Sequence, residues 1–286
     1  MLNLSARREA VEALKKSVAR HHRARKRTTS ASERLFQQRR RAAGDVIKRV
    51  EQYVNLLANS PKEFDKTVEE YRIAANRFDR NVRRLEIAAA RSTKVGSATG
   101  TAGAMAGVGV AALGPSTALA VATTFGTAST GTAISALSGA AATNAALAWL
   151  GGGALAAGGG GMAAGNALLA LAGPVGWTVA GVAIVGSATY LHVRNRKHAQ
   201  EATEKRVAVE AEIRSLAAAG REIRTLTERT DEHADGCISD LGWLRECAPA
   251  NYREFSDSQK ERLAALINHI RSLGKLIRAQ VAYETS

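Results

Sequence analysis

From Val95 to Val193 the chain carries no Asp, Glu, Lys or Arg, and His192 is the one titratable imidazole in that span. Ninety-nine residues without a charge constrain the fold more than any other feature. A soluble domain spreads charge along its sequence because every element has a wet face. A block this long is either membrane-associated or kept from water by a packed partner, and the first reading fits better. Of 26 glycines, 21 lie in this block, where they would cost an isolated soluble helix about 1 kcal/mol each relative to Ala.

The block sets the organisation as three parts: a basic helical arm (1–94), the uncharged Gly/Ala-rich region (95–193) and a C-terminal helical region (194–286). All charge lies in the flanks, and unevenly. Residues 1–94 carry 24 Lys/Arg against 11 acids, whereas residues 194–286 carry 16 against 15. The N-terminal excess concentrates in Arg20, Arg23, Arg25, Lys26 and Arg27 and in Arg39, Arg40 and Arg41. Such clusters suit anionic lipid headgroups or nucleic acid phosphate, or form a solvated helix face. Nucleic acid is the weaker partner because the arm has few aromatics and no reading motif. The first apolar run begins after Lys94, so no secretory signal is expected. Two cysteines, Cys237 and Cys247, give no disulfide framework and suggest a reduced, cytosol-facing setting.

The arm has a heptad period. Val46, Val50, Tyr53 and Leu57, then Phe64, Val68, Tyr71, Ala75, Phe78, Val82 and Leu85, fall four and three residues apart, which predicts long helices packing on another helix. Pro61 divides them into helices over about 33–58 and 61–94. "SPKE" offers Ser60 as N-cap and Glu63 as capping-box partner. In the C-terminal region an apolar stripe (Ala202, Val209, Ile213, Leu216, Ile223, Leu226) continues through Cys237, Leu241 and Leu244, predicting helix over about 194–247. A last helix over about 257–282 is expected to start at a Ser258/Glu261 capping box and to bury Leu263, Leu266, Ile270, Leu273 and Ile277. Almost no β-branched alternation occurs, so no sheet is expected. The fold class is all-α, with amphipathic coiled-coil helices around a membrane-insertable hairpin.

Gly and Pro divide the block into segments of about 101–125, 131–150, 152–172 and 174–193, each near the roughly 20 residues that cross a bilayer. In lipid, helices associate through close backbone contact, which small residues four apart permit. Gly96/Gly100, Gly103/Gly107, Ser135/Gly139 and Gly161/Gly165 have that spacing. Gly151, Gly152 and Gly153, and Gly158, Gly159 and Gly160, suit a turn. Trp149, Trp177 and Tyr190 suit interfacial anchors or core packing. Arg91 and Lys94 before the block, and Arg194, Arg196 and Lys197 after it, place both ends on the cytoplasmic side. Two or four crossings, or a re-entrant hairpin, satisfy that topology.

Catalytic chemistry is not evident. "GVGVAA" (Gly107 to Ala112) matches a dinucleotide fingerprint in letters, but no strand precedes it and no acid follows. The six histidines form no metal-ligand pattern, and no cofactor is implied.

"GTASTGTAISALSGAAATNAALAWLGGGALAAGGGGMAAG" (Gly126 to Gly165), followed by "GPVGW" (Gly173 to Trp177), resembles a Gly/Ala hydrophobic cassette of bacterial proteins. The layout is similar to α-helical pore-forming and apolipoprotein-L-like proteins. The resemblance implies insertion into an anionic bilayer, homo-oligomeric pores and a toxin-like effector acting on the inner membrane in self-directed, antiphage-type defence. The protein would sit in that membrane with both termini cytoplasmic, or stay cytoplasmic until triggered, with a regulatory protein on its helical flanks. The alternative is a membrane-anchored coiled-coil adaptor without pore activity.

Overall fold

The computed structural model describes residues 2–96, 120–121, 123–125 and 188–281. These are helical almost throughout, which makes the protein all-α. In chain order they form α1 (Leu2–Arg41), a π-helical turn (Ala42–Val46), α2 (Ile47–Leu56), α3 (Lys62–Gly96), α4 (Ala188–Cys247), a 3-10 turn (Tyr252–Glu254) and α5 (Asp257–Leu276). Among the described residues, no helix is long and apolar enough to cross a membrane. Gly100, Gly103, Gly107, Ser135, Gly139, Trp149, Gly151–Gly153, Gly158–Gly161, Gly165 and Trp177 lie outside the described residues. Gly96 is the last residue of α3, and Tyr190 lies in the first turn of α4.

The first helix starts at Leu2 rather than near residue 33. Its inner line is Leu14, Ser17, His21, Ala24, Thr28, Ala31 and Leu35, a three-and-four spacing as regular as that of the arm. Because the line is filled mainly by small and polar side chains, counting apolar residues does not reveal it. It packs along α4, and the two run parallel: Ser17 Oγ donates to Glu210 Oε1 (2.6 Å), Thr28 Oγ1 to the Leu216 carbonyl (3.3 Å), and Arg41 to Asp235 (2.7 Å). With 60 residues, α4 is about 90 Å long.

The π-helical turn sits where the inner line takes two consecutive steps of four, Ala42–Val46–Val50. A wider turn absorbs the extra residue and keeps all three buried. Tyr71 Oη donates to the Ala42 carbonyl there (2.6 Å). Burial holds this phenol well above its usual titration range.

Two tight turns close the other end. Between α2 and α3 the chain reverses through Asn59, which takes a left-handed φ of 54°, a conformation Asn tolerates better than most residues. The expected Ser60–Glu63 capping box does not form. Ser60 Oγ instead donates to Asp65 Oδ1 (2.6 Å), and Glu63 pairs with Arg271 across to α5 (2.6 Å). The Ala58 amide donates to the Ala250 carbonyl (2.7 Å) and the Tyr252 amide to the Ala58 carbonyl (3.0 Å), which staples this turn to the one between α4 and α5.

The capping box of α5 lies two residues earlier than expected, on Ser256 and Gln259. Gln259 also donates to the Cys247 carbonyl (2.5 Å), and the neighbouring Phe255 is buried, so contacts to the end of α4 choose the register. α5 ends at Leu276 rather than near residue 282, and the chain continues to Val281 beside Phe125.

α2, α3, α5 and the C-terminal half of α4 thus enclose one large core. It contains Val46, Val50, Tyr53, Leu57, Phe64, Val68, Tyr71, Ala75, Phe78 and Val82 of the arm, against Cys237, Leu241, Leu244, Leu263, Leu266, Ile270 and Leu273. Leu85 lies on α3 beyond the side chains the structure describes. Since α3 leaves the turns and α4 arrives at them, both helices meet the uncharged block away from the turns, α3 after 35 residues and α4 at the far end of its 60.

Candidate functional site

Two features stand out: a latch that holds part of the uncharged block, and a basic groove.

The latch is centred on Arg39. It occupies a position on the inner line of α1, four residues after Leu35, and is 1% exposed, so it is not on the surface where an anionic headgroup would meet it. One terminal nitrogen donates to the Thr123 carbonyl (3.2 Å), the other to the Ala279 carbonyl (2.5 Å), while Nε has no partner among the described residues. Among the described residues no carboxylate pairs with it. Burial lowers its pKa to about 10, a penalty on the order of 3 kcal/mol on the charged form. Two carbonyls from segments far apart in sequence offset that penalty in part.

Around Arg39, Val281 N donates to the Thr124 carbonyl (2.9 Å). Val121, Phe125 and Val281 fill a small core with Ala31, Leu35, Leu216, Ala219 and Ile223, and Ala120 joins the main core. Ala120, Val121, Thr124 and Phe125, in a stretch expected to end a membrane segment, are therefore buried against charged helices. They occupy the space beyond the end of α5. Only the residue types at 121 and 125 hint at this role.

The groove lies between α1 and α4, with a volume of about 800 Å³. Arg20, Arg23, Lys26, Arg27 and Arg34 line it from α1, Arg221 and Arg224 from α4, and no acid lines it. Its buried base includes Thr28, Ala31, Leu216 and Gly220. Arg20 pairs with Glu210, while the other six form no ion pair among the described residues. Of the cations singled out in the sequence, Arg23, Lys26 and Arg27 reach the groove as exposed side chains. Arg25 lies outside its lining, Arg40 lines a smaller pocket beside the π-helical turn, and Arg41 is paired with Asp231 (3.2 Å) and Asp235 (2.7 Å). Sequence reading missed Arg34, Arg221 and Arg224. The available signal was the seven-residue interval Arg20, Arg27, Arg34.

A third polar cluster lies between α4 and α5. His233 Nδ1 and His269 Nδ1 are 2.9 Å apart, and Asp240, almost fully buried, accepts a hydrogen bond from Arg262 (2.9 Å). Burial, and next His269, lowers the His233 pKa, while burial pushes the Cys237 thiol up to about 12. Cys237 is therefore a protonated core group at neutral pH. Among the described residues no group of His, Cys, Asp and Glu is placed to hold a metal ion.

No protein-family model, curated protein or solved structure matches this chain.

Proposed function

We propose that this is a membrane-inserting helical protein whose bundle holds part of the uncharged block out of water and yields it to a lipid bilayer. There, the block assembles with copies of itself through its Gly/Ala faces and permeabilises the membrane. The inner membrane of the producing cell is the target, in self-directed defence.

The observation that supports this reading is the latch. Ala120, Val121, Thr124 and Phe125 belong to a span without charge, yet they are buried among charged helices, and the carbonyls of Thr123 and Thr124 accept hydrogen bonds from Arg39 and Val281. A sheltering bundle that can let go is what an insertable segment needs before it meets lipid. The parallel rod of α1 and α4 supports the second reading, a membrane-anchored adaptor whose rod binds a partner.

The test uses the full chain with dye-loaded vesicles, measuring co-flotation and leakage together. The pore reading expects both, with leakage lost in Gly139→Leu and Gly161→Leu and increased in Arg39→Met, which loosens the latch. Flotation without leakage selects the adaptor. Neither flotation nor leakage, including for Arg39→Met, would refute both.

A further inference from the structure

The groove between α1 and α4 is unusual in its charge. Protein surfaces ordinarily intersperse the two signs, because like charges held together repel. Here seven cations share one concave surface and a single neighbouring acid, Glu210, answers one of them. A cleft of one sign focuses its field and concentrates counter-ions. The net repulsion falls when an anion enters. Six of the seven cations are arginines, whose planar forks match the oxygens of a phosphate better than a lysine ammonium does.

Geometry sets how many anionic groups are needed. Arg20, Arg27 and Arg34 repeat at the heptad interval, so successive members are about 10 Å apart along α1 and the outer two about 21 Å apart. One phosphate cannot touch both ends of that row. Arg221 and Arg224 face its middle and far portion from α4. Small residues, Ala24, Ala31, Ala217 and Gly220, keep the space between the helices open.

We propose that this groove binds a ligand bearing two or more phosphate groups, laid along α1 and gripped from the second side by Arg221 and Arg224. The phosphates come either from adjacent phospholipid headgroups or from a soluble polyphosphate. The inference does not depend on insertion of the uncharged block, and it holds whether or not vesicles leak.

The test uses the full chain and inorganic tripolyphosphate at matched ionic strength, with affinity read by calorimetry and thermal stability read in parallel. Wild type is expected to bind and to melt at a higher temperature in its presence. The double variant Arg27→Gln/Arg224→Gln is expected to bind at least about tenfold more weakly, the loss of charged hydrogen bonds of ordinary strength. Both substituted side chains are exposed, so the melting temperature without ligand reports whether the fold is intact. Arg253→Gln, at the other end of the molecule, is expected to leave binding unchanged.

Phosphatidylcholine vesicles with and without phosphatidylglycerol identify the source. Flotation with the anionic vesicles, reversed by tripolyphosphate, assigns the groove to headgroups. Tripolyphosphate binding without flotation assigns it to a soluble polyphosphate. Equal binding by wild type and the double variant overturns the proposal. So does poly-glutamate or duplex DNA that outcompetes tripolyphosphate at equal charge, since the groove would then be built for an acidic peptide or a nucleic acid.

Discussion

The two ends of the molecule solve helix packing in opposite ways. Near the interhelical turns, four helices share a core of aromatic and branched side chains, with Phe64, Leu244, Leu266 and Ile270 fully buried. At the other end two parallel helices meet through a thin seam. There Leu14, Ala202 and Val209 form a minor cluster, Ser17 bonds Glu210, and His21 lies 3.1 Å from Glu212 without the alignment of a hydrogen bond. A buried polar seam fixes register and partner orientation while adding little stability. The thick end is a scaffold, and the thin end trades stability for accessible charged surface. The groove and both junctions with the uncharged block lie toward the thin end.

The largest expected effect tests that contrast directly. Phe64→Ala removes an aromatic ring from the four-helix core and is expected to cost about 3–5 kcal/mol by chemical denaturation. Leu14→Ala, in the thin seam, is expected to cost well under half as much, because its site is shallow and can collapse. Equal losses would show that the molecule unfolds as one uniform bundle and that the contrast has no energetic meaning.

A smaller effect separates two glycines on α4. A Cβ at Gly236 would lie 2.5 Å from the His269 ring, whereas at Gly242 it meets nothing within 4 Å. Gly236→Ala therefore forces the imidazole away from His233 and is expected to destabilise by about 1–3 kcal/mol. Gly242→Ala is expected to stabilise by up to about 1 kcal/mol, through helix propensity alone. Thermal melts of the two variants give the signs. If Gly236→Ala is neutral, His269 has room to move and the thick end is looser at this point than its buried core suggests.

The same division explains what was legible in the sequence. The thick end announced itself because Val46, Val50, Tyr53, Leu57 and the residues through Val82 are large, apolar and periodic. The thin end did not, since Ser17, His21, Ala24 and Thr28 keep the period without the hydrophobicity. The register of α5 was missed because Ser256/Gln259 and Ser258/Glu261 are equally good capping pairs locally, and only contacts to Cys247 and the burial of Phe255 choose between them. Arg39 was read as a surface cation because it stands beside Arg40 and Arg41. Charge alone does not tell which of three adjacent arginines faces inward, but helical phase does, because 39 continues the line through Leu35 and Ala42. The groove was half legible. Its α1 wall is a visible basic run, while Arg221 and Arg224 come from a helix that is nearly neutral overall and join it only through the parallel pairing.

The smallest expected effect is a pH dependence confined to the thick end. His233 is flanked by His269 on α5 and by Glu232 and Arg229 on α4, with Asp240 and Arg262 beyond the pair. Burial and the neighbouring imidazole lower its folded pKa below the ordinary 6.5, so the unfolded chain takes up its proton first as pH falls. The associated stability is complete above about pH 6.5 and is lost as pH drops through the lower folded value. Denaturation midpoints measured from pH 7.5 down to 5 should fall more for wild type than for His233→Gln, which lacks the titrating group. A parallel decline in wild type and His233→Gln would mean that the imidazole pair relaxes apart on protonation at no cost, and that the packing between α4 and α5 tolerates a charge beside the His269 ring.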